Sequence, residues 1–280
     1  MALPERFVKM AGGGNDFILF EADGRRLTPE DERRLALICR RGLSVGADGV
    51  LLLSGGEGDR VRLDYYNADG RPASFCANGT RCAARYAVAR RLVSGNAPVL
   101  ETGFGAIPAV VEGEKVTLHL PALPLPGDPI PLDADGLPPT GTPMHVGVPH
   151  LVLFMEGDGE GDLEALAVDR LGPALRRHPL MPDGANVNFV RVNGSGGIRV
   201  RTYERGVEAE TLACGSGVVA SAAVAARLGL VSAPVTCATK SGVDFTVDFR
   251  EEDGRLLDVT LRGDAREIFS ATLTPEAWQP

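Results

Sequence analysis

The sequence predicts an α+β fold made of two similar domains, each with one mixed β-sheet and a helix that starts at a cysteine. Three observations predict this fold. The length of 280 residues suits about two hydrophobic cores. Residues 121–143 hold eight prolines near the midpoint, and prolines disfavour central strands and long helices, so this stretch is a candidate linker. Similar motifs also recur on both sides of it.

The recurring motifs keep the same order in both halves. GNDFILF (14–20), Tyr66-Asn67 and ASFCANGT (73–80) occur before the proline-rich stretch. GVPHLVLF (147–154), Tyr203-Glu204 and ETLACGSG (210–217) occur after it. A repeat near half the chain length indicates a duplicated domain and not a solenoid of short repeats. We therefore expect one domain of residues 1–120 plus 268–280, with Cys76, and a second of residues 121–267, with Cys214.

Local patterns predict the individual elements. Thr28 and Pro29 are typical of an N-cap and a first helical residue, so a helix should run on through residue 41. Further helices are expected over 78–92 and over 215–228, the second ended by Gly229 in the left-handed conformation. Alternating or continuous apolar runs predict strands: VRLDYYNA, VTLHL, HLVLFM, NVNFVRV, IRVRTYE, VDFTVDF and LDVTLRG.

Composition argues against several functional classes. The net charge is −8 without a basic block, so a nucleic-acid surface is not expected. The longest uncharged run, 211–226, is too short to span a membrane, and the first residues lack the apolar segment of a signal peptide. Five cysteines, an odd and sparse set without CxxC spacing, argue against a disulfide framework and a metal site. We expect a cytoplasmic protein without metal.

The repeated Cys-x-x-Gly element brings two chemical properties to one place. A helix N-terminus carries roughly +0.5 elementary charge and backbone N–H groups without helical partners. Such a position can lower the pKa of a cysteine thiol, and its N–H groups can hold a carboxylate or phosphate. Small residues such as Ala77, Gly79 and Gly215 let the backbone approach a ligand closely.

Two such elements suggest inversion at a carbon between them, whereas one would suggest a nucleophile. One thiolate, from Cys76 or Cys214, would remove a proton from one face of the carbon, and the other thiol would protonate the opposite face. Each sulfur should then lie about 3–3.5 Å from the carbon. A lone cysteine near a helix is ordinarily a small buried apolar residue, and we assign that role to Cys39, Cys82 and Cys237.

With these residues in view, the chain resembles the diaminopimelate epimerases over nearly its whole length. The motifs that carry the resemblance are GGGNDF, GADGVLLL, YNADGRPASFCANGTRCAARY, NVNFV and YERGVEAETLACGSG, in order. The resemblance implies a strongly curved sheet around a central helix in each domain, and a homodimer. It also implies cofactor-independent conversion of LL-2,6-diaminopimelate to the meso form, a step of lysine and peptidoglycan biosynthesis.

The resemblance further implies a role for each matched residue. Cys76 and Cys214 are the acid–base pair, and His150 and Glu204 modulate a thiol. The residues implied to bind a small amino-acid substrate, by side chain or by backbone, are Asn15, Asn67, Ala77, Asn78, Asn186, Glu204, Arg205, Gly215 and Ser216. Arg205 suits a bidentate carboxylate clamp, and Glu204 can accept from an ammonium group.

The chain departs from the family pattern at three places. Ala77 stands where the family usually has glycine after the first cysteine, and Val148 stands where it has a substrate-binding asparagine. Residues 207–209 hold one residue more than the commoner spacing. These departures concern substrate contacts.

Most of the predicted binding residues could instead have a purely structural role. Asn15 and Asn67 could be turn residues, Asn186 a satisfied strand amide, and His150 a packed, hydrogen-bonded histidine. Glu204 and Arg205 could form a solvated ion pair worth little.

The sequence leaves several alternatives to a diaminopimelate epimerase. Another two-thiol racemase of the same fold, acting on proline, hydroxyproline or histidine, is the main alternative. A nucleotide-binding module is remote, because GSGVVA (215–220) lacks a preceding strand and a following acid. A thiol hydrolase using Cys214 and His150 would leave Cys76 unexplained. A binding protein that kept the fold without activity would not need both cysteines.

Overall fold

A computed structural model describes residues 3–25, 27–132, 137–155, 163–194 and 196–279 of the chain. Four residues of the predicted linker, 133–136, lie outside the described residues. The chain divides into two units, residues 1–119 with 263–280, and 120–262. The domain boundaries expected from the sequence stay a prediction. Among the described residues, no helix is both long and apolar enough to cross a membrane.

The first unit contains a mixed sheet and two α-helices. The helices are α1 (Pro29–Ile38) and α2 (Ala77–Ala89), with a short 3₁₀ turn at Pro275–Trp278. The strands are β1 (Arg6–Gly12), β2 (Asn15–Glu21), β3 (Gly49–Gly55), β4 (Arg60–Asn67), β5 (Pro72–Ala73), β6 (Val99–Thr102), β7 (Gly105–Glu112), β8 (Lys115–His119) and β19 (Arg266–Thr272).

The second unit has the same kind of content. Its helices are α3 (Val168–Arg176) and α4 (Gly215–Arg227). Its strands are β9 (Leu123–Pro124), β10 (Ile130–Pro131), β11 (Thr140–Val146), β12 (Val148–Phe154), β13 (Asn186–Val192), β14 (Ile198–Glu204), β15 (Ala209–Thr211), β16 (Val235–Thr239), β17 (Asp244–Glu252) and β18 (Arg255–Asp264), whose last two residues belong to the first unit.

Strand pairing repeats between the units, step by step. In the first unit, β1–β2 is antiparallel, β2–β3 parallel, β3–β4 and β4–β5 antiparallel, β4–β6 parallel, and β6–β7 and β7–β8 antiparallel. In the second unit, the series from β11 to β18 follows the same sequence of directions. This equivalence explains the repeated sequence motifs as an internal duplication.

Each sheet curves around one helix. Within the first unit, α2 contacts β1, β2, β3, β4, β6, β7, β8 and β19, and within the second, α4 contacts β11, β12, β13, β14, β16 and β17. Most of α2 is buried, and so is most of α4. The expected fold, a mixed and curved sheet around a central helix, is confirmed.

Both faces of the central strands are buried because each sheet carries a helix on each side. Phe17 and Leu51 lie close to Gly79 of α2, whereas Ile18 and Phe20 belong to the core that includes α1. In the second unit, the α3 side holds a corresponding core of Leu151, Leu153, Val168, Leu175, Val187, Phe189 and Tyr203. Neighbouring residues of a strand point to opposite faces, so continuous apolar runs fit this arrangement.

The residues predicted to begin and end the helices have the expected conformations and hydrogen bonds. Thr28 caps α1 in a capping box with Asp31, and Pro29 is its first residue. Gly229 has a φ of +71°, as a left-handed helix terminator does. The first helix ends three residues before the predicted end at 41, and α2 ends at Ala89 instead of residue 92.

One expectation about the proline-rich stretch is wrong. β11 begins at Thr140 and pairs with strands on both sides, so residues 121–143 include the start of an interior strand. Pro143 is tolerated because its backbone polar groups face away from β12. On that opposite side its carbonyl accepts a hydrogen bond from the N–H of Gly127 at 2.8 Å. The two-residue β10 has already ended there, so no ladder needs the missing N–H.

Candidate active site

Cys76 is the N-cap residue of α2 in the first unit. Its backbone is extended, with φ −143° and ψ 109°, and the 13-residue helix begins at Ala77. Its carbonyl accepts from the backbone N–H and from the hydroxyl of Thr80, at 2.8 and 2.9 Å. The Cys76 residue is half-buried, so a ligand can approach it. The helix start thus presents a sulfur beside the first N–H groups of the helix.

Cys214 holds the equivalent position in the second unit. It is the N-cap of the 13-residue α4, again extended, with φ −111° and ψ 112°. Its carbonyl accepts from the N–H of Val218 at 2.9 Å, and its Sγ lies 3.5 Å from the hydroxyl oxygen of Ser216. Cys214 is buried, in contrast to Cys76.

The other three cysteines lie in apolar interiors. Burial raises the pKa of the Cys39 thiol to about 12 and that of Cys82 to about 12. Burial also raises the pKa of Cys237 strongly. A protonated, enclosed thiol is a poor nucleophile or base. These three cysteines therefore agree with the role expected for them, that of small buried apolar residues.

Two predicted binding asparagines of the first unit contact each other. The amide nitrogen of Asn78 donates to the oxygen of Asn15 at 2.7 Å, and the amide nitrogen of Asn15 donates to Asp48 at 2.9 Å. Arg41 donates to the other oxygen of Asp48 at 2.7 Å. The Asn15 amide has two N–H groups and donates one of them to Asp48, so it can donate the other to a ligand.

Arg81 lies at the other end of this amide chain, and no sequence motif assigned it a role. The residue is fully buried and donates to the amide oxygen of Asn78 at 2.6 Å. It also donates to the carbonyls of Ala77 and Asp264, at 3.4 and 3.2 Å. Burial lowers the pKa of Arg81, while Cys82, Asp264 and Cys76 act against that shift. Arg81 therefore fixes the orientation of the Asn78 amide and brings a positive charge near Cys76.

Asp264 supports the same corner from a distant part of the chain. Its carboxylate accepts from the N–H of Gly13 at 2.7 Å, while its carbonyl accepts from Arg81. Gly13 and Gly14 have φ values of +62° and +96°, which only glycine adopts without strain. The GGG sequence thus forms the tight turn that leads into Asn15.

Asn67 ends β4 and starts a tight turn. Its N–H donates to the carbonyl of Arg71, and its carbonyl accepts from Gly70, both at 2.9 Å. The residue is exposed. The backbone hydrogen bonds of Asn67 close the turn. The contact between its side chain and a substrate stays a prediction.

The predicted polar residues of the second unit have internal partners. The amide oxygen of Asn186 accepts from the backbone N–H of Arg205 at 2.8 Å. The guanidinium of Arg205 donates to the carbonyl of Asp183 at 2.7 Å, and Glu204 accepts from the hydroxyl of Thr211 at 2.5 Å. Glu204 is therefore hydrogen-bonded to Thr211, and Arg205 is hydrogen-bonded to Asp183.

His150 is wholly enclosed beneath this polar group. It lies on β12 opposite Asn186 of β13. Its Nδ1 lies 3.2 Å from the amide nitrogen of Asn188, a residue outside the predicted site. Burial lowers the pKa of His150 to about 3, and the nearby His145 and Arg205 add to that effect. The imidazole is therefore neutral at physiological pH.

Equivalent strand positions carry different side chains in the two units. β2 and β3 place Phe17 opposite Gly49, whereas β12 and β13 place His150 opposite Asn186. Tyr66 pairs with Val50 as Tyr203 pairs with Val187, so Asn67 corresponds to Glu204. The duplicated scaffold keeps both cysteines while the groups around them have diverged.

Solved structures with this fold belong to a group that includes amino-acid racemases. A putative PhzC/PhzF phenazine biosynthesis protein from Clostridium difficile matches with a TM-score of 0.72 and 14% identity, covering 96% of this chain and 99% of that one. A probable proline racemase from Agrobacterium radiobacter matches with a TM-score of 0.70 and 15% identity, covering 98% and 95%. At these identities the match establishes the fold alone, and that fold defines the structural class of the protein.

Sequence comparison gives the family. The sequence model of the diaminopimelate epimerase family matches residues 7–119 and 143–266. The diaminopimelate epimerase of Aquifex aeolicus is 38% identical, covering 96% of this chain and 98% of its own length. That of Gemmatimonas aurantiaca is 40% identical, covering 94% and 97%. The chain belongs to the diaminopimelate epimerase family, an isomerase family, as its motifs indicated.

Proposed function

We propose that the chain interconverts LL-2,6-diaminopimelate and meso-diaminopimelate by a two-base mechanism in which Cys76 and Cys214 act as the bases. The observation that carries the proposal is the equivalence of the two helix starts. Two units with the same strand pairing each begin a 13-residue helix at an extended cysteine N-cap. Family membership supplies the substrate.

The proton inventory of the reaction balances without a cofactor. One cysteine enters as a thiolate and takes the α-proton, which leaves the C–H electron pair on the α-carbon. The other enters as a thiol and delivers its proton to the opposite face of that carbon, so the configuration inverts. The two sulfurs have then exchanged protonation states, which is the state required for the reverse reaction.

The helix starts would stabilise the negative charge that builds up on the reacting carboxylate. The backbone of Ala77 and Asn78 and that of Gly215 and Ser216 occupy the first turns of their helices. N–H groups and the helix dipole at such positions favour an anion. Pre-oriented donors of this kind commonly supply a large part of the rate enhancement.

The diverged side chains suit a substrate that is polar at both ends. In the first unit, Asn15 can donate an N–H to a carboxylate, and the exposed Asn67 keeps its predicted role in substrate binding. In the second unit, Arg205 would bind a carboxylate and Glu204 would accept from the ammonium group. Asn186, which accepts from the backbone N–H of Arg205, would hold that arginine's segment in place.

The proposal is tested by replacing each cysteine separately. Cys76→Ser and Cys214→Ser should each lower kcat by at least about 100-fold, the usual scale for a positioned acid or base. Their thermal unfolding should match that of the wild type. Cys82→Ala is the matched control, because Cys82 lies in the same helix as Cys76 but is buried and protonated. Full turnover by either serine variant would contradict the two-base scheme.

The main alternative substrate class is tested by isotope exchange. Diaminopimelate, proline, hydroxyproline and histidine are incubated separately with the enzyme in D₂O, and α-deuterium is followed by NMR. Exchange into diaminopimelate alone is expected. Exchange into proline or histidine without exchange into diaminopimelate would contradict the proposed substrate and show that the chain is a different amino-acid racemase.

We also propose that the chain acts as a cytoplasmic homodimer. The homodimer is supported by β19, where Ile268 is 54% and Phe269 47% exposed. Large apolar side chains left exposed on one strand are candidates for a surface that a partner covers. Light scattering should give twice the 29.5 kDa chain mass. Ile268→Arg should reduce that mass, and a wild-type mass equal to that of one chain would contradict the proposal.

A further inference from the structure

The hydrogen-bond network around His150 determines which ring nitrogen carries the proton. The amide of Asn188 makes three contacts: its nitrogen lies 3.4 Å from the carbonyl of Leu151 and 3.2 Å from Nδ1 of His150, and its oxygen lies 3.0 Å from the hydroxyl of Thr202. A carbonyl oxygen only accepts, so the amide atom beside Leu151 must be the NH₂ group. That group donates, and Nδ1 of His150 must therefore accept.

We infer that Asn188 is a positioning residue that holds His150 as the neutral tautomer protonated at Nε2, so that the ring supplies a hydrogen-bond donor and not a base. A neutral imidazole carries one proton, and with Nδ1 acting as the acceptor that proton sits on Nε2. Among the residues that the structure describes, the buried Nε2 has no hydrogen-bond partner.

A buried donor without an acceptor is destabilising, and an arriving acceptor would relieve that cost. Nε2–H is therefore suited to an anionic or carbonyl oxygen of a ligand, or to a thiolate sulfur.

The network lies directly under the start of α4. A Cβ added at Gly217 would come within 2.3 Å of the Asn188 oxygen, 3.3 Å of the Thr202 hydroxyl and 3.2 Å of Cys214 Cβ. Asn188 is thus packed against the turn that carries Cys214. Only glycine at 217 leaves room for this contact.

The consequence for catalysis rests on the proposed function. A ring with its Nδ1 lone pair engaged and its Nε2 protonated cannot take the proton of Cys214. The cysteine would therefore not form a thiolate–imidazolium pair with His150. The charged and titratable groups that act on the ring are His145 and Arg205, and both disfavour a second proton. Burial lowers the pKa of His150 to about 3, so the ring should not titrate between pH 5.5 and 8.5.

The tautomer can be read from the full-length protein labelled with ¹⁵N-histidine. The chain has four histidines, so each ring can be assigned with few variants, and the exposed His119 and His145 provide reference signals. Two-bond ¹H–¹⁵N spectra should show His150 protonated at Nε2 alone from pH 5.5 to 8.5. A proton on Nδ1, or an imidazolium at pH 7, would overturn the inference.

Asn188→Asp tests the positioning role. A carboxylate can only accept, so Nδ1 should become protonated, and the ring should begin to titrate at a higher pH. Asn193→Asp is the control: it adds the same charge just beyond the end of β13 and keeps an acceptor for Gly197. That variant should leave the His150 signals unchanged. An Asn188→Asp ring identical to wild type would refute the positioning role, whatever its stability.

The spectra test the inference about His150, and the catalytic assay tests the proposed function, so the two can be refuted independently. Absence of diaminopimelate epimerisation by wild-type protein would count against the proposed function and leave the tautomer measurement intact. A wrong tautomer in an active enzyme would count against the inference alone.

Discussion

Gly79 and Gly217 are equivalent third residues of the two central helices, and their replacement by alanine should have different effects. A Cβ at Gly217 would come within 2.3 Å of the Asn188 amide oxygen. Ordinary carbon–oxygen contacts begin near about 3.3 Å, so the overlap is about 1 Å. At Gly79 the closest atom would be Cδ2 of Leu51 at 2.9 Å, the movable end of a side chain.

The energies follow from these contacts. Alanine in place of a helical glycine gains about 1 kcal/mol in both helices. At Gly217, Asn188 can move only by giving up bonds to Thr202 or His150, each worth about 1 kcal/mol, and overpacking adds about 1–3 kcal/mol. We expect Gly217→Ala to destabilise the protein by about 2 kcal/mol. Gly79→Ala needs a shift of a few tenths of an ångström and should stay within about 0.5 kcal/mol of wild type.

Urea unfolding of both variants, followed by circular dichroism, measures the difference. The midpoint should fall clearly for Gly217→Ala and hardly at all for Gly79→Ala, with similar slopes. The Gly217 variant should also lose epimerase activity, because the first turn that carries Cys214 must shift. Equal midpoints for the two variants, or a larger loss for Gly79→Ala, would refute the argument from packing.

Three further predictions concern the first unit. Brief iodoacetamide treatment at pH 8 should alkylate the half-buried Cys76 before Cys39 and Cys82, whose pKa values burial raises to about 12; mass spectrometry that finds Cys82 modified first would contradict this. Thr28→Ala removes the N-cap acceptor of α1 and should cost about 1 kcal/mol in urea unfolding, whereas Thr28→Ser should cost little; equal losses would argue against capping. Arg81→Met removes the hydrogen bonds that Arg81 donates to the Asn78 amide oxygen and to the carbonyls of Ala77 and Asp264, and should lower the free energy of unfolding by about 2–4 kcal/mol; wild-type stability would show that these three bonds contribute little.

The sequence was sufficient where the signals were local or repeated. The bounds of NVNFVRV and IRVRTYE match β13 and β14. Helix α4 begins at Gly215, as its motif predicts, and α2 begins one residue before its predicted start at 78. The duplication was visible because both halves kept a glycine-led strand and a cysteine at similar spacing. Such features depend on neighbouring residues, which a single sequence displays.

Helix α3 escaped prediction because tertiary packing outweighs its local signals. Gly172 and Pro173 both argue against a helix by propensity. The structure needs the glycine, because a Cβ there would come within 2.3 Å of the Tyr203 ring. Burial of Val168 and Leu175 in the same core compensates for the poor helix formers.

The supporting residues of the site were missed because their partners are remote in the chain. Arg81 donates to the carbonyl of Asp264, 183 residues away, and Asn188 contacts His150, 38 residues away. No spacing rule connects such pairs. Arg81 does leave one local trace, a cation on a helix whose surroundings are otherwise small and apolar. Asn188 leaves another, a polar residue on the buried strand NVNFV.

The fate of the α-proton tests the central claim most directly. LL-diaminopimelate is converted in D₂O, and the first few per cent of reaction are analysed by NMR and mass spectrometry. A two-base enzyme delivers a solvent-derived deuteron from the second sulfur, so the meso product should carry deuterium at the inverted carbon while the remaining substrate keeps its proton. Meso product that retains the original proton would mean that a single base serves both faces, which would contradict the account.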